Sequence, residues 1–116
     1  MNPAMSMEAS DRVAAEKALL LITLGFLEAL KEGAIDSDEA FHTIGIPSIV
    51  ARMANAGISD DVADLVGQLD EFSALDEMAG RTVRDRSIRE VMDNCLALLK
   101  AMPPEASRAM PVLKLL

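Results

Sequence analysis

One short stretch of the chain has the residue types of a metal site. Glu39-Ala40-Phe41-His42 has the spacing Glu-x-x-His, which places a carboxylate and an imidazole on one helical face, as in di-iron carboxylate bundles. Such a site requires two of these pairs and two further glutamates, whereas His42 is the only histidine. A symmetric dimer could complete the set with Glu28 or Glu32. The simpler interpretation makes Glu39 a helix-capping residue and His42 a surface residue, and it predicts no bound metal and no cofactor.

Other catalytic and ligand-binding chemistries lack the residues they need. There is no Gly-x-Ser-x-Gly elbow and no glycine-rich phosphate loop. Asp36-Ser37-Asp38 begins like a calcium-binding loop, but Phe41 stands where that loop needs glycine and Pro47 where it needs glutamate. Cys95 is the only cysteine, and its apolar neighbours at helical spacing predict a buried, unreactive thiol. We therefore expect no enzymatic activity and no catalytic residue.

The distribution of charge bears most directly on function. The chain has 19 acidic residues, 11 Lys or Arg, and a net charge of −8. Between residues 28 and 80, twelve acids stand against Lys31 and Arg52, a local net charge of −10. Seven of these acids form a candidate binding face for a basic protein: Asp60, Asp61, Asp64, Asp70, Glu71, Asp76 and Glu77. The alternative is that the charge serves only solubility.

The same composition argues against nucleic acid and membrane as partners. The helix that would enter a DNA groove begins Ser59-Asp60-Asp61, and phosphates would repel these carboxylates. The main apolar run, Ala18–Leu27, has ten residues, whereas a membrane-spanning helix needs about 20. No basic segment of an export signal precedes that run. Because a lone cysteine fits a reducing compartment, we expect a cytoplasmic protein.

Helix signals run along most of the chain. The composition is 51% hydrophobic and 3% aromatic, and the abundant Ala, Leu and Met are strong helix formers. Glycine and proline stops predict helices near residues 7–32, 37–44, 47–56, 60–72 and 81–102. No segment alternates with period two. The predicted fold is therefore all-α, a compact orthogonal bundle of four to five helices with the first helix at its centre.

The first and last predicted helices differ in pattern. The first has Ser6 as its expected N-cap and is apolar nearly all the way round its middle, so we expect it to be buried on several sides, with Leu24 in the core. The last has one apolar face around Ile88 and Cys95 and an opposite, polar face that includes Arg84. Helical periodicity thus assigns most core positions before any tertiary contact is known.

The two ends of the chain are expected to behave differently from its middle. We divide the chain into a frayed lead-in (1–6), a helical domain (7–104) and an apolar tail (105–116). The tail contains Val112, Leu113, Leu115 and Leu116, which are unfavourable in water, so it should dock on the body or on a second subunit. This predicts a homodimer through the first helix and the tail, and with it a homo-oligomeric structural or regulatory protein.

Leu24-Gly25-Phe26-Leu27-Glu28-Ala29-Leu30-Lys31-Glu32-Gly33, followed by Ile35 and the acidic residues of 36–39, resembles a family of short bacterial all-helical proteins of unknown function. The resemblance extends through Gly57-Ile58-Ser59 and covers roughly residues 15–100. It implies a bacterial, cytoplasmic, all-α protein and brings no activity with it. Size and charge favour a non-enzymatic interaction module whose acidic face binds a basic protein, as immunity proteins and antitoxins do. The alternatives are the homo-oligomer and a dimeric carboxylate–histidine metal protein.

Overall fold

Helices make up most of the computed structural model, which describes residues 4–40, 47–72, 80–103 and 112–115. In chain order the elements are β1 (Met5–Glu8), α1 (Arg12–Lys31), α2 (Ser37–Ala40), α3 (Pro47–Asn55), α4 (Asp60–Gly67), a 3-10 turn (Gln68–Asp70), α5 (Arg81–Ala101) and β2 (Val112–Leu115). The predicted all-α bundle is confirmed, and a small two-stranded ribbon is added to it. His42, Asp76 and Glu77 lie outside the described residues.

Helix α1 is the centre of the bundle. It packs most extensively against α5, then against α4 and α2, while α3 packs on α4. Its fully buried side chains include Leu20, Leu27 and Leu30. Leu24 packs against this core but is only partly buried, which corrects the prediction that it lies inside. The reason is the rotation of the helix: the innermost position of that turn is taken by Thr23, which is wholly buried.

The start of α1 differs from the prediction. The helix begins at Arg12, with Asp11 as its N-cap, instead of near Met7 with Ser6 as the cap. The Ala14 N–H donates to Asp11 Oδ1 at 2.8 Å, which satisfies one of the free amides of the first turn. Ser6 belongs to β1, so residues that could have extended the helix pair with another strand.

Capping residues and glycines set the other helix boundaries much as predicted. The Glu39 N–H donates to Asp36 Oδ1 at 2.9 Å, as the acidic capping signal indicated. Gly57 follows α3 with φ 84°, a left-handed conformation that favours glycine. Ser59 precedes α4 but makes no side-chain capping bond. The next helix starts at Arg81, within the predicted window.

Arg84 is buried, which corrects its assignment to the polar face of the last helix. Only 6% of the residue is exposed. Its Nη2 lies 3.5 Å from the Leu30 carbonyl oxygen and 3.1 Å from Asp85 Oδ1. The guanidinium therefore sits at the C-terminal end of α1, where the carbonyl groups and the helix dipole favour a cation.

The described part of the tail, Val112–Leu115, pairs with Met5–Glu8 near the start of the chain. Strand β2 forms an antiparallel ribbon with β1, in the register Met5 opposite Leu115 and Glu8 opposite Val112. Part of the segment expected to be frayed, Met5 and Ser6, is thus in a strand. The apolar residues of β2 are exposed, so in the single chain this strand does not bury them against the helices.

Candidate functional site

A polar groove lies where the acidic helix α4 packs beside α5. Its volume is about 320 Å³. Two carboxylates from α4, the amides of one glutamine and one asparagine, and three apolar side chains line it: Asp61, Asp64, Gln68, Asn94, Leu65, Ala97 and Leu98. We call this the acidic groove. It combines negative charge, neutral hydrogen-bonding groups and an apolar floor.

The orientation of α4 places its acids on the surface. Val62, Ala63, Leu65 and Val66 are buried against α1, α3 and α5, so the opposite side of the helix faces solvent. Asp60, Asp61 and Asp64 are exposed there. Asp60 and Asp61 also stand in the first turn, where negative charge stabilises a helix. The same two acids therefore have a structural role as well as a surface role.

Of the seven predicted acids, the structure brings two together in this groove. Asp61 and Asp64 line it, whereas Asp60, Asp70 and Glu71 are exposed without lining it. The remaining two, Asp76 and Glu77, are outside the described residues. Sequence reasoning missed Gln68 and Asn94, because uncharged amides on separate elements carry no signal until the helices are packed.

Glu16 fixes the beginning of α4 from a distance. The Ser59 N–H donates to Glu16 Oε1 at 2.7 Å, and only 8% of Glu16 is exposed. Arg12 Nε lies 3.9 Å from the same oxygen. A glutamate of the same helix accepts this N–H in an ordinary capping box; here a residue of α1 does so. The spacing of Glu16 from Leu20, Thr23 and Leu27 is the signal that could have placed it on the buried face.

A second, apolar groove lies between α1 and α3. Its volume is about 340 Å³. The side chains that line it are mostly aliphatic: Met7, Ala9, Ala15, Ala18, Leu19, Ile22, Ile49, Arg52, Met53, Ala56 and Ile58. Met7 belongs to β1, so this groove borders the ribbon. Helix α1 thus presents apolar surface on more than its core side, as its sequence indicated.

The ribbon has two unlike faces. Residues directly opposite each other in an antiparallel pair point to the same face, and side chains alternate along each strand. One face therefore consists of apolar side chains from both strands: Met5, Met7, Leu113 and Leu115. The other carries Ser6, Glu8, Val112 and Lys114, with Lys114 Nζ 2.9 Å from Glu8 Oε2. We call the first the apolar ribbon face.

The side chains best known for covalent or metal chemistry do not form a reactive centre in the described residues. Cys95 is fully buried, and burial raises the pKa of its thiol to about 11, so it is protonated and unreactive near neutral pH. No group of three His, Cys, Asp or Glu side chains within the described ranges is placed to hold a metal ion. The carboxylate–histidine hypothesis depends on His42, which the structure does not describe.

The fold and these surfaces define a small helical-bundle protein with an acidic and an apolar surface. A family model described as "Protein of unknown function (DUF3969)" matches residues 10–114. The chain therefore belongs to this family, which agrees with the resemblance to helical proteins of unknown function. No curated protein and no solved structure matches the chain. None of the helices in the described ranges combines the length and apolar character needed to cross a bilayer.

Proposed function

We propose that this chain is a non-enzymatic interaction module whose acidic groove binds a basic segment of a protein partner. The observation that supports this most directly is the composition of the groove, in which Asp61 and Asp64 stand beside an apolar floor. We extend the proposal to a bacterial protein, as the resemblance to short bacterial helical proteins implies. We place it in the cytoplasm, since the lone buried thiol of Cys95 suits a reducing compartment.

A lysine or arginine side chain has the chemistry that this groove would complement. Such side chains bury their aliphatic stem on apolar surface while the charged head stays near water. The stem would lie on Leu65 and Leu98, and the head would reach the carboxylates of Asp61 or Asp64. Gln68 and Asn94 offer further acceptors for its N–H groups. A flat acidic surface would not provide the apolar part of this match.

The acids around the groove would attract a basic partner from a longer distance. Asp60, Asp70 and Glu71 are exposed on the same segment, and the chain carries −8 overall. Charges that do not touch a partner mainly accelerate its association, whereas charges in contact govern its dissociation. We therefore assign contact to Asp61 and Asp64 and steering to the other three.

A paired comparison of variants tests this assignment. Asp61→Asn with Asp64→Asn removes two charges inside the groove; Asp70→Asn with Glu71→Gln removes two outside it. Proteins captured from a native lysate by the wild-type chain are identified, and the affinity of the purified basic protein is measured for all three forms. The groove variant should weaken binding at least about tenfold, mainly through faster dissociation, and the control by a few-fold, mainly through slower association.

Folding must be equivalent in the three forms, which the far-ultraviolet circular dichroism of each reports. Equal losses of affinity in the two variants would mean that the acids act together through long-range attraction and that the acidic groove has no specific role. If the wild-type chain captures no basic protein, or if both variants bind as tightly as the wild type, the acids between residues 28 and 80 serve solubility and the proposal is wrong.

A further inference from the structure

The apolar ribbon face is the most exposed apolar surface that the structure describes. The exposed fractions are 64% for Met5, 44% for Met7, 53% for Leu113 and 76% for Leu115. These side chains come from a two-stranded ribbon, which is marginally stable in water unless a further strand or a packed surface supports it. Of the four side chains only Met7 also borders the groove between α1 and α3, and the exposed fractions show that the described helices of the same chain leave most of this face uncovered.

We propose that a second copy of this chain covers the apolar ribbon face, with the two ribbons stacked face to face about a twofold axis. Such a contact uses the same patch on both copies and closes after two. It would bury Met5, Met7, Leu113 and Leu115 of each copy in one small core. The proposal does not depend on the acidic groove, which lies between α4 and α5.

The charges of the molecule favour a second copy at this position. Two chains of net charge −8 repel each other over most approaches. The ribbon is different, because the charges of Glu8 and Lys114 cancel and their side chains pair on its other face. The apolar ribbon face itself carries no charge. Like-charge repulsion is therefore weakest where apolar burial is most favourable.

The area of the apolar ribbon face indicates how tightly the two copies should bind each other. Four side chains with these exposures present on the order of 400 Å² of mostly apolar surface per copy, within the range of functional patches on monomers. A standard stable interface buries about 800 Å² per partner. The interface is therefore at the small end of the range for specific complexes. The dimer should consequently be weak, so that it forms at high protein concentration and dissociates on dilution.

Two neighbouring positions of β2 provide the test. Leu113 is 53% exposed and Val112 is 54% exposed, yet they point to opposite faces of the ribbon. Leu113→Lys and Val112→Lys each add one positive charge at a position of nearly equal exposure, and only the first places that charge in the stacked core. Sedimentation equilibrium on the purified chain is run from about 10 μM to about 1 mM.

The wild-type chain should pass from monomer to dimer over this range. Leu113→Lys should raise the dissociation constant at least about tenfold, as for a central interface residue, and Val112→Lys by less than about threefold, as for one outside the core. Leu115→Asn, a milder change on the apolar face, should also weaken the dimer.

Circular dichroism should show equal helix content in every form. A chain that stays monomeric throughout, or a dimer that Leu113→Lys and Val112→Lys weaken equally, would overturn the proposal. The sedimentation experiment contains no basic partner, so its result does not depend on whether the acidic groove binds one.

Discussion

Glu16 shows how one side chain can join two parts of this fold. It lies on the buried face of α1 near the N-terminal end of that helix, and its carboxylate accepts the Ser59 N–H at 2.7 Å. A carboxylate is costly to bury unless it is hydrogen-bonded, so the bond to Ser59 and the nearby Arg12 make its burial acceptable. In return the carboxylate places negative charge at the N-terminus of α4. The acidic groove depends on the position of that helix.

We predict that Glu16→Leu destabilises the chain by about 1–3 kcal/mol, because the partly buried Ser59 N–H loses its acceptor. Glu16→Gln should cost less, since an amide oxygen still accepts the bond although its charge is gone. The free energy of unfolding is measured in urea at neutral pH. Glu28→Leu serves as the control: Glu28 is exposed on the same helix, and its Oε2 lies 3.1 Å from Lys31 Nζ. A Glu16→Leu cost no larger than that of Glu28→Leu would contradict the capping role.

At the scale of the elements, two glycines differ in whether the local backbone requires a residue without a side chain. Gly33 has φ 75°, and a Cβ there would lie 3.3 Å from Arg81 Nη2. Gly25 lies inside α1, and a Cβ there would meet no atom within 4 Å. The first glycine is required by the turn after α1, whereas the second only weakens the helix.

The substitution of each glycine by alanine should therefore change stability in opposite directions. Gly33→Ala forces a side chain into a left-handed conformation and should destabilise by about 1–2 kcal/mol. Gly25→Ala should stabilise by about 0.5–1 kcal/mol, because alanine favours the helix interior. Urea unfolding of both variants against the wild type measures the two shifts. Shifts of the same sign would show that the backbone conformation of Gly33 is not what limits substitution there.

The sequence was sufficient for features that depend on nearby residues. Asp36, Gly57 and Pro47 set helix boundaries locally, and each stands close to where the structure needs it. Features that depend on distant residues were missed or misplaced. Arg84 was assigned to solvent because its contact with Leu30 depends on how α5 crosses α1. The ribbon had no local signal either, since each strand has four residues and no hairpin turn joins them.

The same distinction between nearby and distant residues applies to the candidate site. Asp61 and Asp64 could be predicted as surface acids, because the helical pattern of Val62, Leu65 and Val66 fixes which side of α4 is buried. The groove beside them could not, because Asn94 and Leu98 come from α5. Packing between helices decides which exposed acids acquire neighbours, and helical periodicity alone contains no information on that packing.

At the scale of the whole molecule, net charge acts on the stability of the fold. The chain has 19 acids against 11 Lys or Arg, and a compact state with such an excess repels itself. The described ion pairs at Lys31 and Lys114 are at the surface, where each contributes little. Repulsion among the acids should therefore outweigh attraction between unlike charges.

This balance predicts that salt stabilises the fold. Raising NaCl from about 0.01 M to about 0.1 M shortens the Debye length from about 30 Å to about 10 Å, which screens repulsion across the acidic surface more than it weakens the short ion pairs. The free energy of unfolding in urea should rise by about 0.5–1 kcal/mol, the scale of surface electrostatic effects. The variant with Asp61→Asn, Asp64→Asn, Asp70→Asn and Glu71→Gln is the control. It retains the core and should respond distinctly less to salt, since much of the exposed negative charge is gone. If salt instead lowers the stability of the wild-type chain, attraction within ion pairs dominates, and the excess of acids does not destabilise the folded state.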